Sequence, residues 1–190
     1  MTADKLDFAA AFVAHLRQLH EHDKGAMAIL RRSLSFDSGS YPPAYPFVER
    51  FVGAERHAHD PLRRALYCVA ALFAQLPHHV DERSLASAFG AVMRHRESAS
   101  IESRFIALLS ADAENLPQYL RHVISLLSAD DQGFDFAQLL RDLTRWLNPY
   151  AQEARDQLRQ RWARDFYNAL SGSVPADSES TQTSSQGELL

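Results

Sequence analysis

Apolar side chains recur at every third or fourth position through nearly the whole chain, a spacing that fits one face of an α-helix. Phe8, Phe12, Leu16 and Leu19 open the pattern behind Asp4, a residue type suited to capping a helix N-terminus. Asp23 stands ahead of Met27, Leu30 and Leu34 in the same way. Gly39, Pro42, Pro43 and Pro46 then mark a loop, with a short helix around Phe47 to Val52. Asp60-Pro61 joins a cap to a proline in the first helical turn, and Leu62, Leu66, Val69, Phe73 and Leu76 follow as a stripe that ends at Pro77. Leu85, Phe89, Val92 and Met93 mark the next helix, and Ile101, Phe105, Leu108 and Leu109 the one after. Pro117 opens another, with Leu120, Val123, Ile124 and Leu127 inward. Asp135 caps a helix carrying Leu139, Leu140, Leu143, Trp146 and Leu147, broken by Asn148-Pro149. Leu158, Trp162, Phe166 and Leu170 share one side of the last. No alternating run bounded by turn residues competes, so the spacing predicts an all-α chain.

The pattern stops near Ser171. Residues 171–190 are rich in Ser and Thr, without an aromatic residue or an apolar face. Such a stretch buries too little surface to offset the entropy of ordering it, and a disordered C-terminal tail is expected. The polar run Arg94-His95-Arg96-Glu97-Ser98-Ala99-Ser100 divides the remainder. The expected organisation is two small helical bundles in tandem, residues 1–96 and 97–170, followed by the tail.

Charge narrows the function classes. Residues 1–170 hold all 20 Lys and Arg and 21 of the 24 Asp and Glu, a net −1. This argues against a freestanding, non-specific DNA coater, which needs a strongly basic surface. All but Lys5 and Lys24 of the cations are Arg, whose planar fork suits phosphate and carboxylate. The single cysteine, Cys68, excludes an internal disulfide and sits among apolar neighbours as a small core residue. The N-terminal residues lack signal-peptide architecture and no run is long and apolar enough to span a membrane, so a cytoplasmic location is expected.

Catalytic chemistry has little to stand on. The pairs His20/His22, His57/His59 and His78/His79 lack the i, i+4 spacing around a Glu that helical zinc hydrolases use, and neither metal nor cofactor is expected. Arg50 and His57 have the spacing of the Arg–His motif of HEPN-type helical ribonucleases, but Phe51 and Gly53 depart from it. The more informative group is on the second helix. At about 100° per residue, Lys24, Arg31 and Arg32 fall beside Gly25 and Ala28, away from Met27, Leu30 and Leu34. That face offers three cations and two side chains too small to keep a polyanion at a distance; a merely solvated or ion-paired face is the alternative. Arg94, Arg96 and Arg104 form a second basic group. Arg141 and Arg145 are an i, i+4 pair that Asp142 and Asp165 could neutralise. Arg155, Arg159, Arg161 and Arg164 ring the last helix and read as solvating or interfacial.

The landmarks also occur in a telling order. Residues 25–32 (GAMAILRR), 42–48 (PPAYPFV), 66–74 (LYCVAALFA), 100–112 (SIESRFIALLSAD), 116–127 (LPQYLRHVISLL), 134–146 (FDFAQLLRDLTRW) and 161–167 (RWARDFY) run in series. This series resembles the small-subunit family of the type I-E CRISPR Cascade complex, also called CasB, and the resemblance covers roughly Phe8 to Tyr167. The resemblance implies a non-catalytic subunit of two helical bundles in an RNA-guided antiviral complex. Its implied partners are the backbone and large subunits, a second copy of itself, the guide RNA and target DNA, with no membrane or small-molecule substrate. It implies that the protein helps hold target DNA open, and it adds Arg121 to Lys24, Arg31, Arg32, Arg94, Arg96 and Arg104 as candidate nucleic-acid contacts. A helical adaptor that bridges only protein partners is the competing function, and a HEPN-like ribonuclease the remaining one.

Overall fold

The computed structural model describes residues 3–172. Among them are nine α-helices: α1 (Ala3–His22), α2 (Lys24–Arg32), α3 (Tyr45–Val52), α4 (Pro61–Gln75), α5 (Leu85–Arg96), α6 (Ala99–Ser110), α7 (Leu116–Ala129), α8 (Phe136–Trp146) and α9 (Gln152–Ser171). The all-α expectation holds, and the tail expected beyond Ser171 lies, from residue 173 on, outside the described residues.

Local chemistry sets most boundaries. The Asp23 carboxylate accepts from the Ala26 amide at 2.8 Å, Asp60 from Leu62 and Arg63 at 2.9 and 3.1 Å, and Asp135 from Gln138 at 2.9 Å. Each satisfies N–H groups that a helix start leaves without partners. Ser84 caps α5 through Ser87 at 3.1 Å, a start that apolar spacing alone does not reveal. α1 begins at Ala3, so Asp4 lies inside its first turn rather than ahead of it. Gly53 ends α3 at φ +85°, a conformation that favours glycine. The polar stretch after α5 narrows to a turn at residues 97–98.

α4 is the hub. The sequence shows a stripe, but residues 65–74 are all buried. Ala65, Cys68, Ala70, Ala71 and Ala74 are small enough to let neighbours close in on every side, and α1, α2, α3, α7 and α8 all pack against the helix. Phe73 meets Phe136 of α8 edge-on at 5.1 Å.

α5 and α9 form the tightest pair. A Cβ on Gly90 would lie 2.3 Å from the Phe166 carbonyl oxygen, so the two backbones touch there. Phe166 stacks on Phe105 of α6 at 4.0 Å, and Trp162 of α9 packs against Trp146 of α8 at 5.3 Å. Helices from both sides of Arg96 therefore share one hydrophobic core. A short extended link adds to this, with the Val80 amide donating to the Phe134 carbonyl at 3.0 Å and the Asp135 amide to the Arg83 carbonyl at 2.7 Å.

Candidate nucleic-acid interface

The division of α2 follows its spacing. Ala26, Met27 and Leu30 are buried, while Lys24, Gly25, Ala28, Arg31 and Arg32 are exposed. The side chains of Lys24 and Arg32 take part in no hydrogen bond or ion pair among the described residues. Of Glu49 and Glu55, acids that could have neutralised this face, Glu49 is already held by Arg63 at 2.5 Å and by the Tyr67 hydroxyl at 2.6 Å, and Glu55 makes no ion pair among the described residues.

Arg31 is different. Its Nε donates to the Ala74 carbonyl at 2.8 Å, one of the terminal carbonyls that α4 leaves open. A cation at a helix C-terminus also complements the helix dipole. Arg31 thus ties α2 to the hub helix, and only the outer part of its guanidinium remains for a ligand.

Arg121, on the exposed side of α7, reaches the turn that follows α2 and donates from Nη1 to the Leu34 carbonyl at 3.4 Å. Folding therefore joins Arg121 to the α2 group across 87 residues of sequence. Next to it, Phe36 and Tyr41 stack at 4.5 Å and 18°, and Phe36 is 46% exposed. Sequence reasoning missed this pair; the available signal was two aromatic residues inside a loop otherwise made of Ser, Asp, Gly and Pro.

The second basic group divides. Arg96 donates from Nε and Nη2 to the two carboxylate oxygens of Asp130 at 2.9 and 2.6 Å, which holds that carboxyl below its usual range. This fork is spent on closing the end of α5 against the end of α7. Arg94 is exposed, with Nη1 beside Gly172, and Arg104 is exposed on α6 with no ion pair among the described residues.

α9 corrects an expectation. Arg155, Arg159 and Arg161 turn inward rather than outward: Arg155 donates to the Asn148 carbonyl at 3.1 Å and Arg159 to the Ala111 carbonyl at 3.1 Å. Arg159 also lies over the Trp146 ring at 5.1 Å. Arg161 pairs with Asp142, which accepts from the Trp162 indole at 2.9 Å as well. Asp142 thus serves α9 rather than the neighbouring Arg141. Burial pushes its carboxyl above the usual range despite Arg161 and Trp162.

Arg50 and His57 do not bond to each other. Arg50 donates to Nδ1 of His15, whose Nε2 donates to the Phe47 carbonyl at 2.8 Å. Arginine has no acceptor and a carbonyl no donor, so this arrangement requires neutral His15, and burial lowers its pKa accordingly. His57 lies beyond the Gly53 break, in an exposed turn, where Nδ1 accepts from the His59 amide at 3.2 Å. Among the described residues no three of His, Cys, Asp and Glu converge as metal ligands, and no helix is long and apolar enough to cross a membrane. Cys68 is buried and its thiol is pushed up to about 12.

Residues 26–167 match the family of CRISPR-associated protein Cse2. The chain belongs to the Cse2 family. A Cse2 protein of Thermus thermophilus is 41% identical over 145 residues, covering 76% of this chain and 79% of the relative. A crystal structure of CasB from Thermus thermophilus superposes with a TM-score of 0.70 at 38% identity, covering 84% of this chain and 97% of the other. A chain of a CRISPR RNA-guided surveillance complex gives a TM-score of 0.73 at 21% identity, covering 88% and 96%, a likeness of fold. The resemblance drawn from the ordered motifs is thus correct, and its last landmark, Tyr167, coincides with the end of the family match. Arg31, Arg32, Arg94, Arg96, Arg104 and Arg121 fall within the matched residues and Lys24 just before them.

Proposed function

We propose that this chain is a non-catalytic small subunit of an RNA-guided CRISPR surveillance complex, and that it steadies opened target DNA and the guide–target hybrid through the nucleic-acid backbone. The observation that carries this reading is the α2 face, where Lys24 and Arg32 stand exposed and uncommitted beside Gly25 and Ala28. A phosphate chain can approach such a face closely. Exchange of a DNA duplex for an RNA–DNA hybrid is nearly balanced, so a few backbone contacts are enough to shift it. Contacts of this kind position a strand without reading its sequence. Arg121 extends the face, and Arg94 and Arg104 offer further free cations. Arg96 contributes only if its bond to Asp130 is shared. The backbone and large subunits, a second copy and the guide RNA are the proposed partners, and the cytoplasm the proposed location.

The test compares the assembled complex carrying the wild-type chain with one carrying Lys24→Ala and Arg32→Ala, titrated with target DNA at several salt concentrations. Binding should weaken alike for every target sequence. The slope of log affinity against log salt should flatten by about 0.7–0.9 for each phosphate that is no longer neutralised. Melting should not change, because neither residue holds another. Arg31→Ala should weaken binding and also lower stability by about 1 kcal/mol through the missing bond to Ala74. An unchanged affinity and slope in the double variant would favour the adaptor role.

A further inference from the structure

We propose that the stacked pair Phe36–Tyr41 is a base-stacking ledge, which takes one unpaired base of a single-stranded nucleic acid while Arg121 and Arg32 hold the flanking phosphates. The inference rests on the nucleic-acid role proposed above and names the chemical group that role engages at this place. Phe36 is 46% exposed, an open aromatic surface in a chain whose other Phe rings with described side chains are buried or half-buried. Tyr41 backs it at 4.5 Å. Every base has a π-face, so such a ring accepts any base, and nearby cations supply the affinity for the strand.

The ledge is built before any ligand arrives. The Phe36 amide donates to the Ser33 carbonyl at 3.0 Å, which fixes the exit from α2. Ser40 closes the turn with two bonds to the Asp37 carbonyl, from its amide at 2.9 Å and its hydroxyl at 2.8 Å. The Tyr45 hydroxyl donates to the Gly39 carbonyl at 3.1 Å. Gly39 has φ +89°, and a Cβ there would lie 3.3 Å from the Tyr67 ring, so the loop rests directly on the hub helix. The Ala44 amide donates to the Tyr41 carbonyl at 3.1 Å and fixes the other end. A ligand therefore bears little of the entropy of ordering this loop.

Charge favours some places for the strand's phosphates over others. Arg121 is anchored at Leu34, two residues before Phe36, and Arg32 lies one turn earlier, exposed and unpaired among the described residues. Asp37, exposed within the loop, disfavours a phosphate over the loop itself. The arrangement fits a base over the ring with phosphates at the two arginines. Duplex DNA keeps its bases stacked inside and offers none to the ring.

The test uses the full chain at low salt with four labelled probes: oligo(dT), oligo(U), an abasic strand of equal length and charge, and a duplex. Oligo(dT) should bind about five- to a hundred-fold more tightly than the abasic strand. Phe36→Ala should remove that preference and leave the salt slope and melting unchanged, while Phe36→Trp should keep it. Arg121→Ala should flatten the salt slope and retain the preference. Similar gains with oligo(U) would mean the ledge serves either nucleic acid; a gain with oligo(dT) alone would assign it to DNA. Equal binding of oligo(dT) and the abasic strand, or a preference that survives Phe36→Ala, overturns the ledge while a steep salt dependence leaves the backbone role intact. Absence of binding to all four probes overturns the ledge, while the titration of the assembled complex alone decides the backbone role.

Discussion

Replacing Asp142 by Ala should lower the free energy of unfolding by about 3–5 kcal/mol, the range for removing one partner of a buried ion pair. The structure places the loss toward the lower end. The Asp142 side chain is 3% exposed and serves two donors of different accessibility. Arg161 is 33% exposed and can recover part of its hydration. Trp162 is 1% exposed, so its indole N–H would be left without an acceptor, at about 1–3 kcal/mol by itself. Urea unfolding followed by tryptophan fluorescence measures the change directly, and for a chain of this size the corresponding fall in Tm is roughly 6–20 °C. Asp142→Asn keeps an oxygen for Trp162 and gives up the charge, so it should cost less than Ala. The pH dependence carries an independent sign. Burial raises the folded carboxyl above its ordinary 3.8, so the folded protein binds a proton that the unfolded chain releases. The contribution of this group is fully present below 3.8 and declines as pH rises through the folded value. The stability of the wild type relative to Asp142→Asn should therefore fall as pH is raised from that region toward neutrality. An Ala variant within about 1 kcal/mol of the wild type would refute the argument that Asp142 organises the α8–α9 contact.

Gly90→Ala should destabilise by about 1–3 kcal/mol or more, because the new methyl meets the Phe166 carbonyl and not a yielding side chain; denaturant midpoints with an unchanged m-value would check this. Cys68 should resist a maleimide at neutral pH in the folded chain and react fully in denaturant, since burial suppresses the thiolate; rapid labelling under native conditions would contradict it.

What could be read from the sequence was what is local. Caps such as Asp23, Asp60 and Asp135 act within three residues, and the inward faces of α7 and α8 follow from helical spacing alone. The α2 face was legible for the same reason. The partners of its arginines were not. Arg31 bonds to a carbonyl 43 residues away, Arg96 to an acid 34 residues away and Arg121 to a carbonyl 87 residues away. No periodicity encodes such meetings, because they depend on how helices are packed and not on how each one is formed. The inward arginines of α9 escaped for a related reason: a guanidinium on a long stem can reach terminal carbonyls that the helical pattern treats as solvent. The burial of α4 on all sides was hidden by its alanines, which mark a solvent face and a close helix contact equally well.

The enclosure of α4 has a consequence for how such a chain can change over generations. A helix touched on every side leaves each of its positions answerable to several neighbours at once, so variation there is filtered by folding before recognition is ever tried. α2 and α7 each meet the hub with one face and the surroundings with the other. Mutations on their outer faces can alter which charges and rings are displayed without disturbing the interior. The scaffold and the surface it presents are therefore under separate constraints, and a lineage can change what that surface displays while inheriting the same fold.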